Sequence, residues 1–163
     1  MKFLVLALLV SCGASSAEVK TARDAKYKGA PATLFATMKA ATEATYKILG
    51  SDEATLVLKT EPRWYTPEGQ ADTARGGNVA RLQDNSINLS FVVALVTDDD
   101  TYRVNVEPII LRHSTLTANP EKLQLGNPLV PGWVNGKVES LQLDLYGRLK
   151  GYAVTTGAPA PAK

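Results

Sequence analysis

The side chains that most often do chemistry are scarce here: one cysteine, Cys12, and one histidine, His113, in 163 residues. A zinc cage takes its four ligands from cysteine, histidine and carboxylate, and two such residues far apart in the chain do not supply one. Asp98-Asp99-Asp100 offers oxygens to a hard cation, but the D-x-D-x-D-G frame of a calcium loop and its distant bidentate glutamate are missing. The triplet reads instead as a turn with three carboxylates in water. Nucleophilic catalysis needs a nucleophile, a base in reach and an orienting group; no G-x-S-x-G elbow occurs, and His113 is the lone imidazole. Carboxylate pairs can be drawn from Glu61, Glu68, Asp72 and Glu107, as from any domain of this size. Gly76-Gly77 has neither the lysine nor the frame of a phosphate-cradling loop, although Arg75 and Arg81 flank it and are candidate contacts for an anionic partner.

One stretch stands out at a loop border, Glu61 to Gln70 (EPRWYTPEGQ). If extended, Trp64 and Tyr65 point to opposite faces, so one ring is buried and the other is free to stack on a sugar or fill a partner's pocket. The alternative is that both rings cap the end of a sheet. Trp64, Tyr65, Arg75 and Arg81 are therefore the candidate partner-binding residues. No catalytic residue, metal or cofactor is assigned.

Cys12 has a context of its own. Lys2 is followed by eight apolar residues, Phe3 to Val10, and then by small residues, the order of an export signal. Eight residues are too few to cross a bilayer, which takes ~20 in a helix. Two cleavage sites compete. Ser15-Ser16-Ala17 is a small-x-small triplet of the ordinary kind. Leu9-Val10-Ser11-Cys12 resembles the lipobox of bacterial lipoproteins, in which the cysteine is acylated and the peptide is cut before it. That resemblance implies a signal peptide over 1–11 and a membrane anchor through lipid on Cys12. With Gly13 rather than aspartate next, it implies the outer membrane, facing the periplasm. A lone thiol in an oxidising compartment cannot form an internal disulfide, whereas an acylated one is chemically spent.

Beyond the signal, roughly 150 residues remain, enough for one domain with its own core. Lysine and arginine number 18 against 16 aspartate and glutamate, with no basic stripe, which argues against nucleic acid as a partner. Residues 12–30 are small, polar and mixed in charge, and read as a flexible tether. Pro31 to Leu49 is the clearest helix, with an apolar stripe through Leu34, Phe35, Met38, Ala41, Thr45, Ile48 and Leu49 and Gly50 past its end. Ala54 to Thr60 reads as a strand and Pro67 to Ser86 as a long polar loop. Ile87 to Val96 alternates, polar on one face only at its start, and so reads as a central strand; Asp98 to Thr101 turns it into Tyr102 to Leu111 as a hairpin.

Residues 113–132 are irregular, with a brief pairing possible at Leu123 to Leu125. A last helix spans Gly136 to Lys150, capped by Asn135, its stripe being Val138, Leu141, Leu145, Leu149 and Tyr152. Gly147 within it is open to a close-packing role. Residues 153–163 form a disordered Pro/Ala tail.

The expected fold is α+β: a single domain over 31–152, two helices on one face of a small antiparallel sheet of three to four strands. In element order alone this is similar to the small outer-membrane assembly lipoproteins, the lipopolysaccharide-assembly lipoprotein among them. The expected function is a non-enzymatic, membrane-anchored binding or assembly module of the cell envelope, its partner an envelope protein or a glycolipid. Two alternatives stay open, an envelope enzyme whose site no motif reveals and a secreted binding protein cut after Ala17.

Overall fold

The hairpin expected from alternation is the spine of the molecule. In the computed structural model, which describes residues 15–72 and 82–154, β4 (Ile87–Asp98) and β5 (Thr101–Arg112) pair antiparallel along their whole length, from Ile87 opposite Arg112 to Asp98 opposite Thr101. The other side of β4 is shared by two short strands, β2 (Val57–Thr60) opposite Val92 to Ala94 and β3 (Arg63–Tyr65) opposite Ile87 to Leu89. β1 (Ile48–Asp52) extends the sheet beyond β2, and β6 (Glu121–Leu123) closes the far edge on β5. The fold is α+β, as expected, but the sheet has six strands rather than three or four.

Three α-helices, not two, join it: α1 (Ser16–Asp24), α2 (Pro31–Glu43) and α3 (Gly132–Leu149), the last followed by a 3-10 turn at Lys150–Tyr152. The extra helix corrects the reading of 12–30 as a tether. Ser15 caps α1 in a capping box with Glu18, the hydroxyl accepting from the Glu18 amide while the Glu18 carboxylate accepts from the Ser15 amide at 2.8 Å. Val19 and Ala22 are buried. Tyr27 then forms a two-way backbone bridge with Tyr102, both bonds 2.8 Å, at 1% exposure. Two small apolar positions three residues apart suffice to dock a short helix, a signal too sparse to stand out in a polar segment.

Helix α2 begins at Pro31 as expected but ends six residues early. The chain turns at Ala44 to Lys47 so that Tyr46 meets Phe91 edge-on, ring centroids 4.9 Å apart. Ile48 and Leu49 belong to β1, and Thr45 and Leu49 are exposed. Gly50 is thus a strand residue. The strand expected from Ala54 starts at Val57, because Asp52 holds a tight turn by accepting from the Ala54 amide and the Thr55 hydroxyl, with Leu56 at φ 56.

Helix α3 starts at Gly132, four residues before the expected Gly136, with Pro131 rather than Asn135 as N-cap. Its stripe is Val134, Val138, Leu141, Leu145 and Leu149; Tyr152 lies in the 3-10 turn, 36% exposed. Nothing approaches within 4 Å of a side chain built at Gly147, so that glycine serves no close packing. The Asp98 to Thr101 turn is confirmed, but two of its carboxylates are paired rather than left in water: Asp98 meets Lys26 and Arg103, and Asp100 meets Lys28.

Helices α2 and α3 pack on one face of the sheet, and α1 packs against α3. Leu34, Phe35 and Met38 of α2 and the α3 stripe share a core with the inward row of β4 (Ile87, Leu89, Phe91, Val93 and Leu95, each at most 4% exposed). Each large side chain so buried contributes about 1.5–3 kcal/mol before entropy is charged.

Candidate functional site

The opposite row of the same strands faces outward. Side chains alternate across a sheet, so the register places Asn88, Ser90, Val92, Ala94 and Val96 of β4 on the face away from the helices. Beside them stand Leu111, Ile109, Glu107, Asn105 and Arg103 of β5; on the other flank are Lys59 and Val57 of β2 and Trp64 of β3, and Lys122 of β6 lies beyond Leu111. An antiparallel sheet with one solvated face ordinarily reads polar on it. Here the outward row carries Val57, Trp64, Val92, Ala94, Val96, Ile109 and Leu111. None of the seven belongs to the core or packs against it. They are half-buried, except Val96, which is 48% exposed. Asn88 and Ser90 of the same row are buried, at 8% exposure each.

Charge sits at the middle of the patch and at its ends. Lys59 and Glu107 flank Val92 on opposite sides, both exposed and with no ion pair between them among the described residues. At the hairpin end, Arg103 Nε donates to Asp98 Oδ2 at 2.7 Å, and Lys26 Nζ reaches the same oxygen at 2.8 Å. Those donors hold the Asp98 carboxyl below its ordinary range, the Lys26 bond first and the Arg103 bond next. At the other end, the His113 ring stands edge-on to Trp64, centroids 6.4 Å apart. His113 is half-buried there.

The adjacent aromatics divide as an extended dipeptide requires. Trp64 faces outward on the patch, and Tyr65 is buried in the core at 2% exposure. Tyr65 packs against Trp133 with ring centroids 5.2 Å apart, and Lys137 Nζ lies 4.6 Å from the Tyr65 ring centre. Burial, and then the Arg63 charge, lower the Lys137 pKa. Trp133 donates its indole N–H to the Pro67 carbonyl at 2.8 Å and fixes the Thr66–Gln70 turn. That end of the molecule is thus a structural clamp, and Tyr65 leaves the set of partner-binding candidates for the core. Arg75, Arg81 and Cys12 lie outside the described residues.

The outward apolar residues other than Trp64 were not singled out from the sequence. Their signal was present as alternation that stays apolar on both faces, and the natural reading of that pattern is a strand buried on both sides.

Among the described residues, the carboxylates with a resolved shift, Glu18, Asp52, Asp84, Asp98 and Asp100, all move down, each held first by a hydrogen bond from a neighbouring amide, hydroxyl or ammonium. None is pushed up toward neutrality as a general acid requires. No trio of histidine, cysteine and carboxylate side chains able to hold a metal occurs among the described residues, and none of their helices is long and apolar enough to cross a membrane. No family model matches this chain, and no curated protein matches its sequence.

Proposed function

We propose that the chain is a non-enzymatic lipoprotein of the bacterial cell envelope, anchored through lipid on Cys12, that works by binding through the outer face of its sheet. The observation that carries the binding role is the outward row Val57, Trp64, Val92, Ala94, Val96, Ile109 and Leu111. An apolar surface outside the core marks an interaction site, and this one is crossed at its middle by Lys59 and Glu107.

The anchor is supported by the lipobox-like Leu9-Val10-Ser11-Cys12 and by where the folded domain starts. Ser15 is the cap of α1, so a cut after Ala17 removes the cap and two residues of the first turn. A cut before Cys12 leaves the helix whole. Three chain steps take Cys12 to Ser15, a reach of at most about 11 Å, which holds the domain close to the bilayer. The outer membrane, facing the periplasm, is the proposed location.

Metabolic labelling with palmitate, followed by intact-mass measurement, tests the anchor. Label is expected on the native chain and not on Cys12→Ala; an unmodified product beginning at Glu18 overturns the anchor and favours a secreted binding protein.

A further inference from the structure

We infer that the outer sheet face pairs with the same face of a second copy of this chain, about a two-fold axis lying between the two sheets and running along β4. This rests on the proposal that the face is the working surface, and it names the occupant. The central row carries it. Lys59, Val92 and Glu107 lie side by side on β2, β4 and β5. Facing sheets pack about 10 Å apart with strands within about 30° of each other, an angle that displaces the ends of the patch and leaves its centre in register.

Rotation about an axis along β4 carries left to right and leaves position along the strand unchanged. Lys59 of one copy then lies over Glu107 of the other, twice, with Val92 over Val92 between them. At the far end Leu111 comes over Trp64 of the mate, and Ala94 and Val96 meet their own equivalents. The other two-fold that brings these faces together runs across the strands. It sets Lys59 over Lys59 and Glu107 over Glu107, and like charges facing each other at an interface are costly. Of the two axes through Val92, only the one along the strands makes the charge pattern self-complementary.

A second, independent observation selects the same axis. The entering chain, Lys26 to Lys28, is bound at the hairpin tip through Tyr27 and Tyr102. An axis along the strands keeps both tips, and so both entering chains, at one end, as two copies anchored in one bilayer need. The crosswise axis sends them to opposite ends.

Size is adequate. From Asn88 to Val96 the face runs about 27 Å, and four strands give about 19 Å of width, a footprint near 500 Å² per copy. The total, about 1,000 Å², is at the threshold for a specific interface, and confinement to one membrane raises the effective concentration of each copy for the other. An anionic bilayer surface is the poorer occupant, because the central row pairs its lysine with a glutamate.

The test uses the full chain in native membranes with Val92→Cys and a short bismaleimide, the unsubstituted chain, whose only thiol is Cys12, being the control. A covalent dimer is expected with Val92→Cys, at least tenfold less with Lys59→Glu added, and recovery when Glu107→Lys is added as well. Lys59 and Glu107 are exposed, and circular dichroism of each variant reports folding separately. No Val92→Cys dimer, or a dimer indifferent to Lys59→Glu, overturns the pairing. If no dimer forms but Val92→Asp abolishes crosslinking to a different envelope protein, self-pairing is wrong and the face still docks a partner. If neither is seen, both readings fall.

Discussion

Asp98 is the residue on which the N-terminal segment, the hairpin tip and the outer face converge. Its carboxylate takes Lys26 at 2.8 Å and Arg103 at 2.7 Å, and both donors lower its pKa. A carboxyl lowered in the folded state contributes stability that is complete above its unfolded value, near pH 4, and is lost as pH falls through the lowered one. Asp98→Asn is therefore expected to lower the melting temperature at pH 7, and the difference from the native chain should close as pH falls through the lowered value. Melting curves over that range check it, and a difference that persists at the acid end contradicts it. Gly69 is a second single-residue test. It sits at φ +88, and a methyl group there comes 2.8 Å from the Trp133 ring that holds the Thr66–Gln70 turn. Gly69→Ala joins backbone strain to a clash with a ring fixed by its own hydrogen bond. A loss of about 1–3 kcal/mol is expected in denaturant unfolding, and a neutral result contradicts the clamp.

At the scale of elements, α1 shows what a sequence conceals. Its anchors are Val19 and Ala22, two residues in a segment dominated by charge, and its strongest local signal is the cap, Ser15 with Glu18. Read as polar composition, the segment looks like a tether; read as a capping box followed by apolar residues three apart, it is a helix. Ser15→Ala is expected to cost α1 about 1 kcal/mol. Hydrogen exchange should quicken at α1 amides and not at Phe91 or Val93, which lie in the sheet core; uniform acceleration would show α1 to be part of the global unfolding unit. The hairpin and the α3 stripe were legible because each repeats one period over ten or more residues. Helix ends were not: Asn135 offers a capping side chain, yet the helix starts after Pro131, whose side chain makes no cap bond, at the start that buries Val134. The break at Glu43 was hidden for the same kind of reason, because the apolar stripe runs on through Ile48 and only tertiary contact of Tyr46 with Phe91 cuts it. For the candidate site, the sequence showed Trp64 and the alternation of β4, but not which face the helices take. That is decided by the core, where the row with Phe91 and Leu89 buries more apolar surface than the row with Asn88 and Ser90.

For the whole molecule, the decisive fact is that α2 and α3 share a core with one face of a six-stranded sheet while an apolar row on the other face lies outside that core. Core and patch are separated by the thickness of a single sheet, so they respond differently to the same kind of substitution. Phe91→Ala removes a fully buried ring and is expected to cost about 3–5 kcal/mol. Val92→Asp, the next residue on the same strand, points away from the core, so its expected effect on unfolding is below about 1 kcal/mol. Association should respond in the reverse order. A carboxylate at position 92 introduces an uncompensated charge at the centre of a desolvated contact, where the partner's loss of water is greatest. Val92→Asp is therefore expected to weaken capture by the partner at least tenfold, in crosslinking or sedimentation of the full chain, while thermal melting stays near native. Phe91→Ala, held below its lowered melting point, should still associate. The opposite ranking, with Val92→Asp unfolding the domain or leaving association intact, would show that the outer face is a second wall of the core rather than the surface through which the molecule acts.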